Sequence, residues 1–198
     1  MTQEKLIRLF QEISLHNNEV AFKQLFYYSY PGLLSFAKSI IGDIHKAEEV
    51  VNDVFVKLWE NRNLLTAVTN PSHYLYTSVR HACINFIGSK ANKANTQVAF
   101  LGATEESFSW SLTDNEAAII NKQLLGIVDR EINRLPPQCR LIFRLIRFEG
   151  LKYQEVAQLL ALSLKTVENQ MGIAVKKLFA ALRAAYPDED FLDKVKNK

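Results

Sequence analysis

The sequence predicts an all-α protein of two helical domains joined by an acidic, flexible linker. Three observations predict it. Apolar residues recur at spacings of three and four, and the first 90 residues show no strand-like alternation. Only 7 Gly and 5 Pro interrupt a chain that is 48% hydrophobic and 23% charged, a composition of ordinary globular helices. Between Ala94 and Asn121 there is no Lys or Arg, while Glu105, Glu106, Asp114 and Glu116 fall among Ser, Thr and Gly, as in a solvated connector. The expected divisions are a domain over 1–92, a linker over 93–115, a second domain over 116–187 and a frayed tail over 188–198.

Taken in order, the first helix runs from about Gln3 to Leu15, with Leu6, Phe10 and Ile13 on one face. Asn18 caps a second, which carries Phe22, Leu25 and Phe26 and ends near Tyr27 to Tyr30. Pro31 lacks the amide proton a helix interior needs, so it is expected to open a third helix, Leu33 to Ile41, that stops at Gly42. Asp43 caps a long fourth helix, in which Ala47, Val50, Val51, Val54 and Leu58 form the inward stripe. Asp53, Val56, Lys57 and Glu60 lie off that stripe and Phe55 and Trp59 flank it. An aromatic and charged surface of this kind suits protein docking; a solvated face with two tucked aromatics is the other reading.

Residues Asn61 to Ser72 have loop composition. The helix after Pro71 turns Leu75, Val79, Ala82, Cys83, Phe86 and Ile87 inward, and Tyr76, Thr77, Arg80, His81 and Ile84 outward. Aromatic, basic and polar residues interleaved in this way suit an unpaired nucleic-acid strand, although such a face can also be plain surface. In the second domain, a helix from about Glu116 to Arg134 is expected to bury Ile120, Leu124, Val128 and Ile132. The next, Gln138 to Phe148, is expected to pack Ile142, Phe143 and Ile146 and to present Arg140, Arg144 and Arg147 outward.

The stretch Tyr153 to Leu178 reads as a helix-turn-helix, broken at Ala161 to Ser163 and restarted by Ser163 as N-cap. Leu164, Val167, Met171, Ala174 and Leu178 make the inner stripe of its second helix. The outer face then carries Lys165, Thr166, Asn169, Gln170, Ile173, Lys176 and Lys177, amides and a hydroxyl that can read base edges beside cations that seek phosphate. A helical hairpin with a solvated face would look similar. Charge favours the nucleic-acid reading: residues 121–187 hold 11 Lys/Arg against 5 Asp/Glu, while residues 1–88 are balanced at 8 and 8.

No catalytic or metal-binding constellation is present in the sequence. There is no phosphate-cradling Gly-rich loop, no HExxH and no CxxC pair; the four histidines stand apart, and Cys83 and Cys139 each sit in an apolar helical pattern. No cofactor and no small-molecule substrate are expected. No apolar run reaches the ~20 residues that span a bilayer, so no direct membrane insertion is expected, and the N-terminus reads as an amphipathic helix of a cytoplasmic protein.

Five blocks in order, AFKQLFYYSYPGLLSFAKSIIGD, AEEVVNDVFVKLWENR, PSHYLYTSVRHACINFI, INRLPPQCRLIFRL and GLKYQEVAQLLALSLKTVENQM, resemble an extracytoplasmic-function sigma factor of the sigma-70 family. Within that family the chain is similar to the iron-transport-regulator type of Bacteroidetes. The resemblance implies that residues 1–92 are sigma region 2 and 116–187 sigma region 4. Glu49, Asp53, Phe55, Val56, Lys57, Trp59 and Glu60 would then dock on core RNA polymerase. Asn63, Leu64, Thr77, Arg80 and His81 would hold the melted −10 strand of promoter DNA. Region 4 would read the −35 duplex with Lys165, Thr166, Asn169 and Gln170, while Tyr153, Lys176 and Lys177 approach its backbone. The linker would enter the polymerase cleft toward the RNA exit path, and a membrane-bound anti-sigma protein would hold the factor in check. The chain departs from the family pattern at Ile173, His81, Asn85 and Gly88. Two rivals remain: a helix-turn-helix regulator that does not bind polymerase, and a helical phosphotransfer protein using His81 or His45.

Overall fold

Several helix boundaries follow from capping chemistry at the ends of the apolar stripes. The computed structural model describes residues 2–90 and 118–185, and every regular element among them is helical. The elements are α1 (Gln3–His16), α2 (Glu19–Ile41), α3 (Ile44–Glu60), a 3-10 helix (Arg62–Ala67), α4 (Pro71–Lys90), α5 (Ala118–Asn133), α6 (Pro137–Arg147), α7 (Tyr153–Leu160) and α8 (Leu164–Ala185). The linker 93–115, the tail 188–198 and the side chains of Ile120 and Leu124 lie outside the described residues.

Asn18 caps α2 by accepting the Ala21 amide at 3.0 Å, and Asp43 caps α3 through the Lys46 amide at 3.2 Å. Each supplies an acceptor to a first-turn N–H that the helix cannot satisfy. α1 and α2 end on Asn17 (φ 52°) and Gly42 (φ 80°), the residue types that enter the left-handed region at least cost.

The expected break at Pro31 does not occur: α2 runs unbroken through it. A proline costs its helix one hydrogen bond, here the one to the carbonyl of Tyr27, which is 67% exposed on the face open to water. Leu25, Ser29, Leu33 and Phe36 are buried on both sides of the proline, so packing holds the two halves in line. The stretch from Asn61 to Ser72 is also more regular than its composition suggests, since six of its residues form the 3-10 helix and Leu65 there is 2% exposed.

α1 to α4 and the 3-10 helix pack on one another, with α2 against α1, α3 and α4. Phe10, Ile13, Leu25, Leu33, Phe36, Val51 and Val79 are fully buried, each contributing roughly 1.5–3 kcal/mol of transfer free energy. α5 to α8 form a second group in which α8 packs against the other three around Ile142, Leu145, Val156, Val167 and Met171. Both cysteines are buried and free, and burial pushes the Cys83 thiol up to about 12, which leaves it an inert packing residue. The two groups meet where α7 lies against α4.

Two expectations of facing are corrected. Tyr76, expected outward, is 4% exposed and packs edge-on against Phe36, because the turn after α6, with Glu149, covers this face of α4. Arg140 and Arg144, also expected outward, are half-buried: Arg140 donates to the Leu135 carbonyl at 3.1 Å and Arg144 to the Asn133 side chain at 3.0 Å, tying α6 to the end of α5.

Candidate nucleic-acid interface and docking face

The helix-turn-helix has the predicted boundaries. α7 stops at Leu160, Ala161 takes the left-handed conformation (φ 52°) and α8 starts at Leu164. An alanine there costs about 1–2 kcal/mol relative to ordinary backbone, and the buried Leu159, Leu160 and Val167 on either side of the turn hold it. Ser163 caps α8 as expected, accepting the Thr166 amide at 3.0 Å, and its hydroxyl lies 2.8 Å from that of Thr166. This fixes the start of the helix and the Thr166 hydroxyl with it.

Val167, Met171, Ala174 and Leu178 are buried, while Leu164, expected among them, is 39% exposed at the first turn. Lys165, Asn169, Ile173, Lys176 and Lys177 are exposed, and Thr166 and Gln170 are half-buried at the edges of the same face. Lys165 reaches Glu168 at 3.7 Å in an exposed pair that a phosphate could displace at little cost. Gln170 is held by its backbone, whose carbonyl accepts the Cys139 thiol at 3.2 Å. Tyr153 is exposed at the start of α7. The face therefore offers amide, hydroxyl and cationic groups on a rigid helix, which is what duplex readout requires. Gly172, which no sequence argument singled out, adds a side-chain-free, open position between them.

On α3, Glu49, Asp53, Val56, Lys57 and Glu60 are exposed, Val56 at 55%. Phe55 is different. It is 2% exposed and sits in an aromatic cluster with Phe22, Phe26 and Tyr30, so it supports the docking face from beneath and does not line it. Trp59 is half-buried, its ring 5.0 Å from Phe22 on one side and 4.7 Å from the Arg62 guanidinium on another. Arg62 also donates to the Trp59 carbonyl at 2.8 Å and to Asn17. This clamp on Trp59 was not foreseen; an Arg three residues after a Trp at a helix end is its only trace in the sequence.

The residues expected to hold a single strand do not all converge. Leu64 and His81 line an open groove of about 510 Å³ between α3 and α4, together with Asp53, Lys57, Asn61 and Tyr74. Thr77, one turn before His81 on α4, and Arg80 are half-buried and are not among the residues lining the groove, and Asn63 is exposed on the 3-10 helix. The groove thus joins residues that the sequence had assigned to two separate tasks.

A helix-turn-helix with an open reading face, a second helical domain with a polar groove, and an aromatic-backed charged helix define a DNA-binding protein that also docks on another protein. Family descriptions agree with that class. "Sigma-70 region 2" matches residues 25–93 and "Sigma-70, region 4" matches residues 125–178, in that order. The chain is 24% identical over 173 residues to the ECF RNA polymerase sigma factor RpoE of Cereibacter sphaeroides, covering 87% of this chain and 92% of that protein. Among solved structures it is similar to CnrH in complex with the cytosolic domain of CnrY (21% identity, 91% of this chain and 98% of that one, TM-score 0.44). It is also similar to the sigma factor RpoE in complex with the anti-sigma factor NepR from Bartonella quintana (20% identity, 82% and 96% covered, TM-score 0.44). The chain belongs to the sigma-70 family, as an RNA polymerase sigma factor of the ECF type. Sigma factors bind core RNA polymerase and promoter DNA.

Proposed function

We propose that residues 1–92 and 116–187 divide promoter recognition between them, with α3 as the polymerase-docking surface. Asp53, Val56, Lys57, Glu60 and Glu49 form its exposed contact, and Trp59, clamped by Arg62 and Phe22, presents one edge. The −10 strand runs across Asn63, Leu64 and His81 at the groove, with Thr77 and Arg80 beyond it on the flank of α4. The −35 duplex lies on α8, where Asn169, Gln170, Thr166 and Lys165 face base edges and Lys176, Lys177 and Tyr153 face the backbone. The chain binds and orients; phosphodiester chemistry belongs to the polymerase. We further propose that it is of the iron-transport-regulator type, works in the cytoplasm and is held inactive by a membrane-bound anti-sigma protein, as the ordered sequence blocks imply. No helix among the described residues is long and apolar enough to cross a membrane.

The observation that carries the reading is the α8 face, exposed, capped by Ser163 and held rigid by its buried stripe. The test is selection of promoter fragments from a random pool by the polymerase holoenzyme. Wild type should enrich one −35 sequence, and Asn169→Ala should relax it at a single position, at a cost of about 1–3 kcal/mol. A uniform loss at every position would contradict base reading by Asn169.

A further inference from the structure

An apolar side chain stands in the middle of the outer stripe of α8. At about 100° per residue, Lys165, Asn169, Ile173 and Lys176 fall on the side of the helix opposite its buried residues Val167, Met171, Ala174 and Leu178. Ile173 is 43% exposed there, with Asn169 one turn before it and Lys176 and Lys177 just after it, all exposed. A single exposed isoleucine is ordinary on a protein surface. This one shares its stripe with a base-reading amide and with cations that suit a polyanion, so whatever lies on Asn169 and Lys176 lies on Ile173 as well.

The other exposed large apolar residues of α8, Leu164 and Phe179, are roughly 120–180° round the helix from Ile173. Ile173 therefore belongs to no apolar patch of α8, and a protein partner would dock on a contiguous patch. Charge complementarity with Lys165, Lys176 and Lys177 points to duplex DNA as the occupant. An isoleucine has no hydrogen bond to offer a phosphate or a base edge. The apolar group that the major groove presents is the C5-methyl of thymine. Two features favour such a contact. A β-branched side chain in a helix holds one strongly preferred χ1, so little freedom is lost when it is covered. Gly172 beside it carries no side chain, and the space where its Cβ would stand is empty, which leaves the helix open to close approach.

We propose, resting on the reading of α8 as the −35 helix, that Ile173 is a specificity-determining residue that packs on the C5-methyl of a thymine. Its place in the duplex follows from helix geometry. Asn169 and Ile173 are four residues apart, roughly 6 Å along the axis, or one to two base-pair steps at ~3.4 Å each. The thymine therefore lies within two base pairs of the base that Asn169 reads.

The test removes that methyl from the DNA. The probe is the promoter fragment enriched by wild-type holoenzyme, with each thymine of its −35 element, on either strand, replaced in turn by deoxyuridine. That change deletes the C5-methyl and keeps every pairing group. One replacement, within two base pairs of the position that Asn169→Ala relaxes, should weaken wild-type binding about fourfold, the worth of one methyl kept from water. The same replacement should leave the affinity of Ile173→Ala holoenzyme unchanged. Ile173→Ala truncates an exposed side chain and raises helix propensity, so the variant should fold and be captured by core polymerase as wild type is. Its salt slope should also match wild type, since an apolar contact releases no counterions.

No sensitive thymine in wild type, or one replacement that weakens both proteins equally, would overturn the contact. So would a loss by Ile173→Ala that is uniform over all fragments, which would put the side chain against deoxyribose. A wild-type holoenzyme that enriches no −35 sequence would refute the promoter reading and the contact with it; enrichment without methyl dependence would refute the contact alone.

Discussion

Replacing Glu149 by glutamine isolates the cost of burying its charge. Burial pushes the Glu149 carboxyl up from 4.5 to about 6, partly offset by the hydrogen bond from Tyr76. A rise of that size corresponds to about 2 kcal/mol. Below pH 4.5 the group is protonated whether exposed or buried, and its burial carries no charge penalty. As pH rises through 6 the folded chain must ionise a half-buried group, so stability present at low pH is lost across that window. Glutamine keeps an oxygen for the Tyr76 hydroxyl and has no charge to bury. Urea unfolding of the two proteins should therefore give matching stabilities near pH 4.5 and a difference growing to about 2 kcal/mol in favour of Glu149→Gln by pH 7.5. A difference that does not change with pH, or a less stable variant at pH 7.5, would refute the reasoning.

Lys176→Ala should weaken holoenzyme binding to all promoter fragments alike and lower the slope of log affinity against log salt by about one; an unchanged slope would remove Lys176 from the phosphate contacts. Phe55→Ala should cost about 3–5 kcal/mol of stability, measured by chemical denaturation, because it empties the aromatic cluster under α3. A folded Phe55→Ala protein of wild-type stability that fails to bind polymerase would return Phe55 to the contact surface.

Much of this fold was legible because it is written in local chemistry. The caps at Asn18, Asp43 and Ser163, the stops at Gly42 and Ala161, and the inner stripe of α8 all follow from residues within a few positions of each other. Pro31 misled because a local rule was overridden by burial on both sides of it. Tyr76 and Glu149 were illegible for a different reason. Helical periodicity says which residues share a face, and nothing about a second domain covering part of that face from 70 residues away. Phe55 failed in the same manner, since periodicity placed it on the flank of α3 and only the packing of Phe22, Phe26 and Tyr30 from α2 decided that it is core. The exposed faces of α3 and α8 were legible because nothing in the chain covers them among the described residues.

The central claim is that the outer face of α3 docks on core RNA polymerase. Its most direct test is capture of the purified chain by core polymerase, beside an Asp53→Ala, Trp59→Ala double variant whose helicity is checked by circular dichroism. Stoichiometric capture of wild type, lost in a folded double variant, is the predicted result. Equal capture of both proteins would place the docking surface elsewhere on the chain, and no capture of wild type would contradict the account at its base.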